Sequence, residues 1–281
     1  MVLRSDTVVA IMSETTSTDF EIVEAGNVEA ATRVFRRDGF VLLANALTDR
    51  QLQLAQQGAD RIVEEQTAAI ALDKANRGFA RYSFGQQIQH PEWAQLVDLP
   101  PVSDIVTTIW GSDDVTCSGG GGDYSLPGAK IQHLHSDIAD CLNDPEGRTV
   151  LADLPTPFIV VNFPMVDFRR ENGATRFIPC TQRHRQRPPG LDKEPEWMRQ
   201  QIVRAPAGSA LIRDVRTWHG GTANTSNETR VMTSVGYYAP WFRRPGSAEA
   251  VMPYDVYESL TERGQRWCRS LALGAQAGDA H

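Results

Sequence analysis

The sequence predicts a mainly β protein with flanking α-helices, and three observations support this fold class. From about residue 114 onward, segments are short, rich in Val, Ile, Thr, Phe and Tyr, and separated by Gly, Pro and Asn. Before that point, apolar residues recur at helical spacing. About eight candidate strands after this helical start indicate a β-sandwich or jelly roll with helices packed outside it.

The N-terminal part of the chain reads as helix, strand and helix. A first helix fits residues 27–38 and ends at Gly39, and a short buried strand fits 40–43. Thr48 or Asp49 can cap a second helix that runs to about Ile70. Further helices fit residues 91–98 and 101–110, and the tail from 254 to about 273 is again predicted to be helical.

The β region supplies the predicted core. Its candidate strands are 113–118, 122–126, 131–138, 157–167, 175–178, 201–204, 209–213 and 230–239. The run Gly119–Gly122 lacks the spacing and the following helix of a phosphate-binding loop, so we interpret it as a flexible turn between two strands. We expect residues 1–25 to be disordered and residues 26–281 to form one domain, with the jelly-roll core at about 113–240.

Composition limits the partners of this chain. It has 281 residues, and its 35 acidic against 28 basic residues give a net charge near −7. An acidic surface repels nucleic acid, so a nucleic-acid partner is not expected. No apolar run approaches the roughly 20 residues that span a bilayer, which predicts no membrane partner. The four cysteines form no CxxC pair, so we expect free thiols and a cytoplasmic location.

The segment His133-Leu134-His135-Ser136-Asp137 is the first candidate metal site. On a β-strand, residues two apart point to the same face, so His135 and Asp137 can converge on one metal ion. His133 shares that face, and the spacing alone leaves a choice between the two histidines. The carboxylate of Asp137 favours His135, because a carboxylate ligand on this strand needs its histidine partner two residues earlier.

His219 offers the third ligand, since it lies between two candidate strands about 80 residues later. Two histidines and one carboxylate form the facial triad of non-haem Fe(II) oxygenases, with open positions for a bidentate 2-oxo acid and for O₂. Arg230 follows at the start of the next strand. Its planar fork suits the distal carboxylate of 2-oxoglutarate, and its permanent charge compensates a buried anion.

These motifs together resemble the phytanoyl-CoA dioxygenase family of Fe(II)/2-oxoglutarate-dependent oxygenases. The resemblance extends from about 28 to 240. Its motifs are Arg37-Asp38-Gly39-Phe40-Val41, Gln132-x-x-His135-x-Asp137, Glu171-Asn172-Gly173-Ala174-Thr175, and Trp218-His219-Gly220-Gly221 with Arg230. After Pro179 the family usually has Gly-Ser-His or Gly-Thr-His, whereas this chain has Cys180-Thr181-Gln182-Arg183-His184, and we do not expect His184 to bind iron.

The resemblance implies a double-stranded β-helix, cupin-like core and a site that uses Fe(II), 2-oxoglutarate and O₂. It implies that Gln132 and Thr175 contact 2-oxoglutarate through their amide and hydroxyl groups. It also implies C–H oxidation, by hydroxylation, desaturation, epoxidation or cyclisation, because halogenating relatives lack the carboxylate that Asp137 supplies. The substrate is expected to be a small-molecule metabolite, with secondary metabolism preferred.

The residues themselves indicate candidate walls of a substrate pocket, which are Phe79, Tyr82, Phe84 and Trp241. Two other functions also fit this sequence. The same His₂Asp site can hold Zn²⁺ in a hydrolase, although Arg230 and Gln132 then have no clear role. A non-catalytic jelly-roll protein that binds a ligand is the other alternative.

Overall fold

Two β-sheets form the centre of the computed structural model, which describes residues 20–244 and 250–272. The strands are β1 (Ile22–Glu24), β2 (Phe40–Ala44), β3 (Arg81–Ser83), β4 (Thr116–Ser125), β5 (Phe158–Pro164), β6 (Thr175–Phe177), β7 (Ala210–Asp214), β8 (His219–Gly221) and β9 (Arg230–Tyr238). Seven of them form a large sheet in the order β1-β2-β7-β5-β9-β4-β3, antiparallel except for the β1–β2 pair. The remaining two, β6 and β8, form a small antiparallel sheet.

Most of the helices lie before and after the main β region, and α5 lies within it, between β6 and β7. They are α1 (Val28–Asp38), α2 (Asp49–Ala69), α3 (Pro91–Ala94), α4 (Pro100–Trp110), α5 (Glu196–Gln200), α6 (Tyr254–Glu258) and α7 (Glu262–Cys268). Helix α2 begins at a capping box, in which Thr48 and Gln51 satisfy each other's backbone N–H groups. Among the described residues, none of the helices combines the length and the apolar character needed to cross a bilayer.

The main hydrophobic core lies between these helices and the large sheet. Apolar side chains of β5, β7 and β9, such as Ile159, Ile212 and Val235, are fully buried there. They pack in one cluster with Phe35 of α1 and Trp93 of α3. Apolar burial of this kind is the main stabilising contribution to the fold. It leaves the opposite face of the large sheet free to line a cavity.

The mainly β fold class and the helices predicted at 27–38, at about 49–70 and at 101–110 are confirmed. The helix predicted at 91–98 is shortened to α3, the predicted helical tail is divided into α6 and α7, and the glycine run is not a turn. Gly119–Gly122 lie inside the continuous strand β4, which pairs with β9 from Thr116 to Ser125. On its other side β4 accepts hydrogen bonds from the backbone of Phe84 and Gln87. A Cβ on Gly121 or Gly122 would collide with neighbouring backbone carbonyls. Glycine is needed here for close backbone approach, which local propensity does not reveal.

The predicted strand at 131–138 is also wrong, although its backbone does lie beside β8. Gln132 N–H bonds to Gly221, while His135 and His219 exchange both of their backbone hydrogen bonds. The segment from Gln132 to His135 thus contains one residue more than the stretch of β8 opposite it, which is the pattern of a bulge. The extra residue breaks the alternation on which the shared face of His133 and His135 depended. His133 is exposed, and His135 faces His219.

The predicted strand at 201–204 is reduced to an isolated bridge between Ile202 and Arg176 of β6. The segment 1–25 is expected to be disordered, and its residues 1–19 lie outside the described part of the chain. Its last part is ordered, because Ile22–Glu24 form β1 and pair with β2. Three short strands, β1, β3 and β8, were not predicted, since three residues carry too little periodicity to be recognised.

Candidate active site

The three predicted metal ligands meet at one point beside the small sheet. Ligand atoms of His135, Asp137 and His219 lie within 4.8 Å of one another. The Oδ1 atom of Asp137 is 3.5 Å from Nε2 of His219 and 3.9 Å from Nε2 of His135. His219 is held by β8, and His135 by its paired backbone hydrogen bonds to the same residue. Two imidazoles and one carboxylate therefore face a common centre, as a facial triad requires.

Each imidazole is oriented by a backbone carbonyl on its other nitrogen. Nδ1 of His135 lies 3.1 Å from the His133 carbonyl, and Nδ1 of His219 lies 2.9 Å from the Thr217 carbonyl. When Nδ1 carries the proton and donates to these carbonyls, each Nε2 is left with a lone pair for a metal ion. Burial, and then the neighbouring His219, lower the pKa of His135 to about 4, so this ring is neutral at physiological pH.

The carboxylate of Asp137 is ionised and held by a buried arginine. Nη1 of Arg213 donates a 2.5 Å hydrogen bond to Oδ2 of Asp137. Burial alone would raise the pKa of this carboxyl, but Arg213 and His219 outweigh it and hold the pKa well below its usual range. The site thus presents a charged carboxylate and, at His135, a neutral imidazole, which are the protonation states that a divalent metal ion binds.

These ligands open into a cavity of about 550 Å³ between the two sheets. Its walls come from β4, β5, β7 and β9 on one side and from β6 and β8 on the other. The glycine run of β4 forms a wall without side chains, and Phe158, Val160 and Met232 add apolar surface. Arg230, the predicted partner of the co-substrate carboxylate, lines the same cavity.

Arg230 belongs to a buried charge cluster whose positive charges exceed its negative charge. Its Nη1 donates a 2.6 Å hydrogen bond to Asp123 of β4, and its guanidinium lies over the Phe168 ring. Arg81 of β3 is almost as deeply buried, and burial followed by the charge of Arg230 lowers its pKa to about 10. Arg81, Ser125 and Arg230 are direct cross-strand neighbours on three adjacent strands. Two cations thus face one anion, Asp123.

The same cluster contains polar atoms that lack partners. Nε of Arg230, Nε and Nη1 of Arg81, and the hydroxyl of Ser125 are buried without a hydrogen bond among the described residues. Buried donors are normally paired, and a charge without compensation is costly. Of these three residues Arg230 lines the cavity, and a single carboxylate bound there supplies one negative charge to the cluster. The residues therefore fit a 2-oxo acid whose distal carboxylate binds at Arg230, in the same cavity as the three metal ligands.

Gln132 and Thr175 also line the cavity, in agreement with their predicted position. The amide of Gln132 is already engaged with backbone groups: Oε1 accepts from Gly221 N–H at 3.0 Å, and Nε2 donates to the Arg77 carbonyl at 3.2 Å. This bridging fixes the rim of the cavity beside β8. The contacts of both residues with 2-oxoglutarate stay predictions.

The four aromatic residues predicted to form the substrate pocket are not among the cavity walls. Tyr82 and Phe84 are buried in the main core, where both pack against Tyr124. Phe79 and Trp241 are exposed. The reason is strand alternation: in β3, Arg81 and Ser83 face the site and Tyr82 faces the helices. Aromatic composition alone does not show whether a side chain faces the cavity or the main core.

Among the charged residues that sequence reasoning missed at this site, Arg213 and Asp123 are the most informative. Both line the cavity and pair with predicted functional residues. A signal was available in each case: Arg213 interrupts the apolar run of β7, and Asp123 follows four glycines. A charged residue in a buried strand needs a partner, which makes it a candidate for a site.

Comparisons with known proteins give the context of this geometry. The chain matches a dioxygenase from Aspergillus fumigatus, af480, with 26% identity over 170 residues, which is 60% of this chain and 52% of that protein. It matches the Fe(II)/2-oxoglutarate-dependent dioxygenase nvfF from Aspergillus novofumigatus with 29% identity over 142 residues, covering 50% of this chain and 44% of that protein. The chain thus spans about half the length of these relatives.

Solved structures share the fold. The α-ketoglutarate-dependent epimerase SnoN from nogalamycin biosynthesis superposes with a TM-score of 0.61 at 19% identity, covering 79% of this chain and 85% of that one. HygX from Streptomyces hygroscopicus, solved with nickel, 2-oxoglutarate and hygromycin B, gives a TM-score of 0.58 at 14% identity, covering 76% and 88%. The phytanoyl-CoA dioxygenase (PhyH) family model matches residues 35–232, which include every predicted metal ligand. This protein therefore belongs to the phytanoyl-CoA dioxygenase (PhyH) family.

Proposed function

We propose that this protein is an Fe(II)- and 2-oxoglutarate-dependent dioxygenase that oxidises a C–H bond of a small-molecule metabolite. The observation that carries the proposal is the convergence of His135, Asp137 and His219 in the same cavity as buried Arg230. A metal site alone would also fit a zinc hydrolase. A hydrolase has no use for a buried cation cluster that lacks one negative charge, whereas a dicarboxylic 2-oxo acid supplies that charge.

Each part of the site has a separate role in this scheme. His135, Asp137 and His219 hold the metal ion, and Arg230 binds the distal carboxylate of 2-oxoglutarate. With O₂, the bound iron and keto acid supply the oxidising power for C–H cleavage and release succinate and CO₂. The cavity walls position the substrate and exclude water, and the glycine wall of β4 leaves room beside the metal.

The substrate belongs, in this proposal, to secondary metabolism. SnoN is described as an enzyme of nogalamycin biosynthesis, and HygX was solved with hygromycin B. The cavity of about 550 Å³ falls in the usual range for small-molecule sites. Its walls combine Ser118, Asn162 and Ser234 with apolar side chains, which suits a metabolite with both polar and apolar groups. A cytoplasmic location and the absence of a nucleic-acid partner stay predictions.

The proposal is tested by succinate formation. Purified protein, stripped of metal, is incubated with 2-oxoglutarate and O₂ and then with Fe(II) or with Zn(II). We expect slow release of succinate even without the natural substrate, only with Fe(II) and only with O₂. Turnover of an ester or amide with Zn(II) under anaerobic conditions would instead establish the hydrolase. Binding of neither metal would favour the non-catalytic ligand-binding protein.

A further inference from the structure

The guanidinium of Arg213 is one of the most firmly held groups in the cavity. Arg213 lies on β7, a central strand of the large sheet, where it is paired with Phe40 on one side and Val160 on the other. Its Nε donates a 2.8 Å hydrogen bond to Oδ1 of Asn162 on β5. Because the side chain is only 8% exposed, water can hardly replace these protein hydrogen bonds. The position of the guanidinium is thus determined by the sheet.

This group contacts one of the two carboxylate oxygens of Asp137. Oδ2 accepts the hydrogen bond from Nη1 of Arg213 at 2.5 Å. Oδ1 is the oxygen that faces Nε2 of His135 and of His219. The two oxygens therefore have different surroundings, one directed to the arginine and one directed to the centre of the triad.

We propose that Arg213 is a positioning residue that restricts Asp137 to a single metal-binding oxygen. The inference rests on the proposed function. A carboxylate can bind a metal ion through one oxygen or through both. With one oxygen and two imidazoles, three positions of a six-coordinate metal ion stay open for the keto acid and O₂. A second oxygen would occupy one of them. A charge-assisted hydrogen bond to Oδ2 opposes this second contact.

The positive charge of Arg213 also opposes binding of the metal ion, and this effect makes the proposal testable. Its fixed positive charge lies close to the site of a divalent cation, and like charges repel. Removing the guanidinium thus removes a repulsion and frees a second ligand oxygen. Both changes strengthen binding of the metal ion. The second ligand oxygen also weakens binding of the keto acid, because it occupies one of the open positions. A residue that only supported the fold would affect both ligands in the same direction.

The experiment measures two affinities by titration calorimetry, first of Mn²⁺ to the metal-free protein and then of 2-oxoglutarate to the Mn²⁺-loaded protein. For Arg213→Met we expect Mn²⁺ to bind as tightly as to the wild type or more tightly, and 2-oxoglutarate to bind about tenfold more weakly or worse. Arg213→Lys retains the charge and places its N–H donors on a single nitrogen. It should recover part of the 2-oxoglutarate affinity, and it serves as the test if Arg213→Met does not fold.

Arg216→Met is the matched control. Arg216 is a buried arginine close in sequence, paired with Asp214 at 2.6 Å, and it is not part of the cavity walls. Its loss should reduce stability and leave both affinities unchanged. The inference is overturned if Arg213→Met binds 2-oxoglutarate like the wild type, or if it loses Mn²⁺ and 2-oxoglutarate together. If the wild type binds Mn²⁺ but no 2-oxoglutarate, the proposed function itself fails.

Discussion

Replacement of Arg230 by leucine tests whether this residue binds the co-substrate. Arg230 is 1% exposed, so its contact with a carboxylate would be shielded from water. Loss of a buried, hydrogen-bonded charge pair costs about 2–5 kcal/mol, which corresponds to about 30-fold to about 4,000-fold in affinity. We therefore expect Arg230→Leu to raise the 2-oxoglutarate requirement by that range. The requirement is measured as the half-saturating concentration for succinate release.

The same substitution also affects the unfolding free energy, and this effect can be reduced by design. Arg230→Leu leaves Asp123 without its 2.6 Å partner, which should cost about 1.5–3 kcal/mol of stability. The double variant Arg230→Leu/Asp123→Leu should recover part of this loss, because no unpaired carboxylate is left, while Arg81 loses its acidic neighbour. It should not recover binding of 2-oxoglutarate. A folded Arg230→Leu variant with the wild-type requirement would refute the assignment of Arg230.

Three further predictions concern the metal ligands and the core. His219→Ala should lose Mn²⁺ binding while its far-UV circular dichroism spectrum stays that of the wild type; retained binding would exclude His219 as a ligand. In the metal-free protein His135 has a lowered pKa of about 4, so the unfolded chain takes up the proton first and stability is lost as pH falls from about 6.5 to about 4. Across this window the urea midpoint should fall less with decreasing pH for His135→Gln than for the wild type. Parallel curves would contradict the lowered pKa of His135 as the cause of this loss. Tyr237→Phe removes a 2.8 Å hydrogen bond to the Val97 carbonyl and should lower the unfolding free energy by about 1 kcal/mol, with metal affinity unchanged; an unchanged urea midpoint would contradict this.

The metal ligands could be predicted from the sequence because chemistry restricted the choice more than geometry did. Only six histidines occur in the chain, and one of them lies two residues before an aspartate in the β region. The prediction of His135 over His133 is supported by their positions, although the regular strand on which it was based does not exist. A bulge opposite β8 places the two histidines differently, and bulges leave little trace in residue alternation.

Other parts of the molecule depend on pairing between distant segments, which one sequence does not reveal. The glycine run of β4 forms a strand because β9 and the segment 84–87 enclose it on both sides. The partners of Arg213 and Arg230, Asp137 and Asp123, lie 76 and 107 residues away along the chain. The aromatic residues Tyr82 and Phe84 were assigned to the pocket because their composition suits one, but the face they occupy follows from the sheet register.

The most direct test of the account is the visible spectrum of the protein with Fe(II) and 2-oxoglutarate under anaerobic conditions. Chelation of iron by the keto acid gives a weak charge-transfer band, which requires both ligands in one site. We expect this band with the wild type, none with His219→Ala, and for Arg230→Leu a band only at a much higher 2-oxoglutarate concentration. Absence of the band from wild-type protein that has bound Fe(II) and is saturated with 2-oxoglutarate would contradict the account.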